Sequence, residues 1–193
     1  SAIDSGTIAT ARLGSGTASS STFLRGDQTF AAPPAGGITV ADQWRLTASK
    51  NTTSSPSDIS ANLEQVDTAG QGTIGSAMTE SSGVFTFPST GVYLVMSNVT
   101  YKNVSNNNSN YCEIVHKVTI NNSSYLSTAY GYVYFNSLSA TLYSTATAID
   151  MIDVTDTSNV KIKFNVQSQQ NAAIDASTNE NYTCFTFIRL GDT

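Results

Sequence analysis

His116 is the only histidine of the chain, and Cys112 and Cys184 are its only thiols. A single imidazole excludes a His-rich metal site, and any Ser–His–Asp relay would have to be built on it. Such a relay needs a hydroxyl placed for attack, an imidazole to take its proton and a carboxylate to hold the imidazole. No G-x-S-x-G elbow is present, and His116 lies in the strand-like run Cys112 to Ile120, so it reads as a strand histidine rather than a catalytic base. The two cysteines, each in an alternating stretch, read as small buried apolar residues; a bridge between neighbouring strands is the alternative. Asp150, Asp153 and Asp156 offer hard oxygen ligands, yet a spacing of three puts Asp150 and Asp153 on opposite faces of a strand, and no D-x-D-x-D-G loop is present. No catalytic residue, no metal site and no cofactor is expected.

Composition narrows the field further. The chain has 193 residues, 12% of them charged, with a net charge of −5 and nine Lys and Arg. Nine cations neutralise few phosphates, so nucleic acid is not an expected partner. No apolar run approaches the ~18 residues of a membrane span, and no basic-then-apolar signal segment opens the chain. Membrane insertion is therefore not expected either. The first residue is Ser1 rather than Met, which reads as a processed product or a fragment. Roughly a third of the residues are Ser, Thr or Asn, and 9% are aromatic, which fits a turn-rich all-β protein with a real core.

The elements that would position any site divide near residue 38. Residues 1–38 carry Ile3, Ile8 and Leu13 five apart, then Phe23, Leu24 and Phe30, all among small residues. Gly6, Gly14, Gly16 and Gly26 disfavour helix, and so sparse an apolar set cannot enclose a core within one copy. The regular placing of large residues argues that this segment buries them against copies of itself, and residues 31–37 read as a Pro/Gly joint. Arg25-Gly26-Asp27 matches the tripeptide that integrins recognise, but here it reads as a tight turn whose Gly26 supplies the unusual backbone angles. From residue 39 to 193 the pattern becomes short alternating runs. Phe85 and Phe87 share a strand face, Pro88 to Gly91 turn the chain, and further strands follow over 112–120, 124–135, 138–152, 160–166 and 182–190. Residues 59–66 fit strand or helical turn equally. Eight to ten short strands predict a β-sandwich, most simply a jelly roll.

Two stretches carry resemblances. Ala9-Thr10-Ala11-Arg12-Leu13-Gly14-Ser15-Gly16-Thr17-Ala18, followed by Thr22-Phe23-Leu24-Arg25-Gly26-Asp27-Gln28-Thr29-Phe30, resembles the ARLGSGTA…TFLRGDGTW repeat of bacteriophage tail fibres and other virion fibres. It departs from that repeat at Gln28, where Gly is usual, and at Phe30, where Trp is usual. Phe85-Thr86-Phe87-Pro88, Gly91-Val92-Tyr93-Leu94-Val95 and Phe185-Thr186-Phe187-Ile188-Arg189-Leu190 are similar to the heads of complement subcomponent q and tumour-necrosis-factor-like proteins.

Together the resemblances imply an intertwined homotrimeric shaft followed by a trimeric jelly-roll head. They place Ile8, Leu13, Phe23, Leu24 and Phe30 in a trimeric shaft. Tyr130, Tyr132 and Tyr134 alternate on one strand face and are expected at the trimer interface of the head, a receptor contact being the competing use of the same rings. The polar loop with Asn106, Asn107, Asn108 and Asn110, together with Tyr125, is the candidate receptor-binding set; a plain solvated connection is the alternative. The implied function is attachment of a bacteriophage virion, through a tail or capsid fibre, to a host-surface glycan or protein, with other virion proteins as partners. A capsid decoration protein and a secreted bacterial complement-q-type adhesin or lectin share these features. A depolymerase, which uses paired carboxylates in a long β-helix, does not.

Overall fold

The computed structural model describes residues 9–33, 37–104, 109–135 and 142–193. The chain divides into two compact units, Ser1–Gly37 and Ile38–Thr193.

In the first unit a single 3-10 turn, Thr10–Arg12, precedes a hairpin of β1 (Phe23–Leu24) and β2 (Phe30–Ala31), with Leu24 opposite Phe30. Ser15 runs parallel to the hairpin: its N–H donates to the Gln28 carbonyl at 2.8 Å and its carbonyl accepts from the Phe30 N–H at 2.7 Å. This contact explains Gly14, since a Cβ there would stand 2.1 Å from the Gln28 oxygen. The Arg25–Gln28 turn is closed by Gln28 N–H to the Arg25 carbonyl (3.0 Å), and Asp27 Oδ1 accepts from both the Thr29 N–H and its hydroxyl. The positive φ expected at Gly26 falls instead on Gln28, at 62°. The reason is the hairpin's register, which puts the left-handed residue directly before Thr29. Among the described residues of this unit none is buried: Leu13, Phe23 and Leu24 are exposed and Phe30 is half-buried. Ile8 lies outside the described residues.

The second unit is a sandwich of β3 (Ala41–Leu46), β4 (Lys50–Thr52), β5 (Ser57–Asp58), β6 (Leu63–Gln65), β7 (Thr79–Ser81), β8 (Val84–Thr86), β9 (Gly91–Asn103), β10 (Ser109–Thr119), β11 (Leu126–Phe135), β12 (Tyr143–Val154), β13 (Lys161–Ser168), β14 (Ala172–Ile174) and β15 (Cys184–Gly191). One sheet runs β11-β10-β13-β8-β7, with β5 also on β13. The other runs β4-β14-β9-β15-β3-β6, and β12 covers the remaining edge of β9 through twelve paired residues. Strict alternation builds this. Along β9 every second residue from Gly91 to Asn103 is buried, and the residues between them face outward.

The inner faces meet in a cluster of rings. Phe85 lies 5.1 Å from Phe187 and 5.5 Å from Phe164, and Phe164 stacks on Phe185 at 4.1 Å. Each buried ring contributes roughly 1.5–3 kcal/mol. Six of the strands have only two or three residues, too short to show alternation in the sequence, so the described residues of this unit hold more strands than the eight to ten expected. The ambiguous residues 59–66 resolve into an irregular stretch with Asn62 at positive φ, followed by β6.

Two buried polar residues fix the loops. Asp42 accepts five hydrogen bonds: from the N–H groups of Gln43 and Met78, the indole of Trp44, the Gln65 amide and the Thr73 hydroxyl. Arg45, 1% exposed, is held by Glu64 at 2.6 Å, Asp67 at 3.2 Å, the Thr68 hydroxyl and the Asn179 carbonyl. A desolvated guanidinium persists because every direction it points meets an oxygen.

Candidate functional site

The fold does assemble a serine, the histidine and an aspartate. Ser97 on β9 faces inward and shares a 2.8 Å hydrogen bond with His116 Nε2 from β10, across the sandwich. His116 Nδ1 stands 3.9 Å from Asp150 Oδ2 on β12. That gap is beyond hydrogen-bond reach, and Asp150 instead accepts from the Thr128 hydroxyl of β11. Ser97 and His116 are fully buried, and Phe164 closes over the imidazole at 5.2 Å, so no substrate can reach the hydroxyl. Burial pushes the imidazole down to about 4 against the pull of Asp150, leaving it neutral. The arrangement ties the two sheets together and does no chemistry.

The other reactive residues are also set apart. Cys112 and Cys184 are buried in different sheets and form no disulfide with each other. Asp153 is exposed on β12, and Asp156 caps the turn before β13 by accepting from Ser158 and Asn159. Among the described residues no three His, Cys, Asp or Glu side chains gather as a metal site.

What the fold does present to solvent is two apolar surfaces. The first is the tyrosine edge. Tyr130, Tyr132 and Tyr134 all project outward from β11, each more than half exposed, and the Tyr130 and Tyr132 rings lie parallel with centroids 6.0 Å apart. Their strand is at the edge of its sheet, beside β12, where Gly131 sits so close to the Thr147 carbonyl that a Cβ would be 2.3 Å from it. The second lies on the outer face of the sheet formed by β12, β9 and β15. Cross-strand register aligns Met151, Leu94 and Ile188 in one row and Ile149, Met96 and Thr186 in the next. Ile149 and Met151 are 58% and 65% exposed. Leu94, Met96, Thr186 and Ile188 beside them are half-buried. These rows were not among the residues singled out from sequence, although Val92 to Met96 is apolar on both strand faces, and a strand buried on one side only does not need that.

Of the candidate receptor set, only Asn110 and Tyr125 lie among the described residues, and they stand at opposite ends of one strand. Asn106, Asn107 and Asn108 lie outside the described residues, and Asn110 stands at the start of β10. Tyr125 lies beyond the far end of that strand, which spans about 30 Å or more at ~3.4 Å per residue. Tyr125 is half-buried, with Lys163 Nζ 4.5 Å from its ring centroid and Lys163 paired to Asp58 at 2.7 Å. One face of the ring is thus already covered by a cation.

No family model matches the chain, and no curated protein matches it. Among solved structures it is similar to murine APRIL, with a TM-score of 0.57 and 12% identity over 78% of this chain and 98% of that one. It is likewise similar to Eiger TNF from S. frugiperda, with a TM-score of 0.58 and 11% identity over 81% of this chain and 96% of that one. At such identities the likeness is one of fold, and the fold is a tumour-necrosis-factor-like all-β jelly roll.

Proposed function

We propose that this chain is the distal part of a homotrimeric bacteriophage fibre, whose jelly-roll head attaches the virion to a host-surface glycan or protein by binding rather than catalysis. The observation that carries the reading is the pair of apolar rows on the outer face of β12, β9 and β15. A soluble sheet face without a partner is ordinarily polar, and contiguous exposed apolar rows mark an interface. A second and third copy of the same chain is the occupant that the first unit also needs, because Leu13, Phe23 and Leu24 find no cover within one copy. The tyrosine edge of β11 is the complementary surface for such a neighbour. Resemblance of residues 9–30 to the virion-fibre repeat supports a place on a tail or capsid fibre, next to other virion proteins. The sealed environment of Ser97 and His116 supports binding over hydrolysis. Three weak sites on one rigid head gain avidity wherever the host surface presents matching spacings.

The test is competition. Purified protein added to host cells should block adsorption of the particle that carries it, and antibody against residues 39–193 should label a fibre on that particle. Protein that neither adheres to cells nor lies on a particle refutes the attachment role.

A further inference from the structure

Two large rings remain exposed at the other end of the same sheet face. Tyr143, opposite Lys102 across β12 and β9, and Tyr182, just before β15, flank a concavity of about 310 Å3 lined also by Thr100 and Asp175. Tyr143 is 59% exposed and Tyr182 46%. Between the pocket and the apolar rows runs a polar row, Thr147 and Asn98, hydrogen-bonded at 2.8 Å. The pocket is therefore separate from the apolar rows, and its Tyr143 is next in sequence to Ser144, which borders the Tyr132 and Tyr134 edge.

From this geometry we infer that the pocket binds a neutral saccharide unit of the host receptor, an assignment that rests on the attachment role. Three features of the pocket point to that chemistry. The first is the pair of rings: a sugar ring has apolar C–H faces and a hydroxyl rim, and tyrosines offer flat apolar surface with a polar tip. The second is the polar pair beside them. Asp175 Oδ1 accepts from Lys102 Nζ at 2.8 Å, which leaves its Oδ2 and the remaining ammonium protons to take and give hydrogen bonds to vicinal hydroxyls. The pair sums to zero charge, which favours a neutral ligand over an anionic or cationic one. The third is rigidity. The Asp175 N–H donates to the Thr100 carbonyl at 2.7 Å, the Asp175 carbonyl accepts from the Thr183 hydroxyl at 2.8 Å, and the Thr100 hydroxyl donates to the Tyr182 carbonyl at 2.7 Å.

The groups that would meet a ligand are held before it arrives, which lowers the ordering cost of binding. A peptide is the poorer fit, because β9 is paired on both sides here, with β12 and β14, and offers no free edge for strand addition. The volume suits roughly one or two sugar rings, at the low end of the range for small-molecule sites.

The experiment uses the full chain and a panel of immobilised neutral hexose and N-acetylhexosamine oligosaccharides, with sialylated glycans as the anionic arm. The expected result is binding to a neutral member, lost by about tenfold or more in Tyr143→Ala, Tyr182→Ala and Asp175→Asn, with unfolding temperature and assembly mass unchanged. Asp175→Asn keeps the shape of the side chain but unpairs Lys102, so its unfolding temperature is measured alongside, and Tyr143→Phe and Tyr182→Phe, which keep the rings, should bind better than the Ala variants. If the parent adsorbs to cells and the three variants adsorb equally well, the pocket assignment fails and the attachment role stands. If adsorption is abolished by protease treatment of the cells but not by periodate, the receptor is a protein and the assignment fails. If the parent binds no cell and no glycan, both fail.

Discussion

Ser97 and His116 come from opposite sheets of the sandwich and meet in a 2.8 Å hydrogen bond, with no water-accessible surface on either. Among the described residues the second nitrogen of the imidazole has no hydrogen-bond partner, since Asp150 Oδ2 is 3.9 Å away and accepts from Thr128. The serine and histidine of a relay are thus present in a place where they can only join strands.

This buried imidazole sets an acid limit on the head. Its folded value of about 4 lies below the ordinary 6.5, so the unfolded chain binds the extra proton between those values. Its contribution to stability is complete above pH ~6.5, is lost as the pH falls toward 4, and changes no further below that. The shift corresponds to roughly 3 kcal/mol in all. Chemical unfolding of the parent and of His116→Gln across pH 4–8 checks this: the slope between 4 and 6.5 should be shallower in the variant by about one proton.

Asp42 gathers five donors from β3 and from the segments that carry Gln65, Thr73 and Met78. Asp42→Ala leaves buried donors without an acceptor, and unmet groups of this kind cost about 1–3 kcal/mol each. The variant should unfold at clearly lower urea concentration, with the loss at least about 3 kcal/mol. A change within 0.5 kcal/mol would show that this carboxylate does not organise the loop.

Gln28 occupies a left-handed conformation at φ 62°, where the fibre repeat it resembles has Gly. Gln28→Gly should relieve about 1 kcal/mol of backbone strain and slow proteolysis within residues 9–31. Faster cleavage of the variant would contradict the turn geometry.

How much of this was legible beforehand follows from the range of the forces involved. The runs Phe85-Thr86-Phe87 and Phe185-Thr186-Phe187 show their alternation locally, as do the three tyrosines of β11, so fold class and the exposed tyrosine face are readable from neighbouring residues. Gly14 is different. Its need appears only when Gln28, fourteen positions on, folds back against it. The burial of Arg45 likewise depends on Glu64, Asp67 and Asn179, which arrive from distant segments. The rows Met151–Leu94–Ile188 and Ile149–Met96 are the extreme case, because each residue comes from a separate strand and only the register of β12, β9 and β15 lines them up. Pairing register is a property of the whole sheet.

Ile149 and Met151 give the assembly a direct handle. A charge at the centre of a buried subunit contact is costly, while the same charge on a free sheet face is not. Ile149→Asp with Met151→Asp should therefore leave each head folded, with an unchanged far-ultraviolet spectrum, and weaken its association by orders of magnitude. Dissociation with Tyr130→Ser and Tyr132→Ser should be milder, since these rings are replaced by small neutral groups.

The mass of the intact chain in dilute solution bears most directly on the proposed fibre. At 20.4 kDa per chain, light scattering or native mass spectrometry should give about 61 kDa, three chains, for the parent, and single chains for the Ile149→Asp, Met151→Asp variant. A parent that runs as a monodisperse 20.4 kDa monomer at micromolar concentration would contradict the proposal, because the apolar rows of the head and the uncovered residues of the first unit would then have no partner.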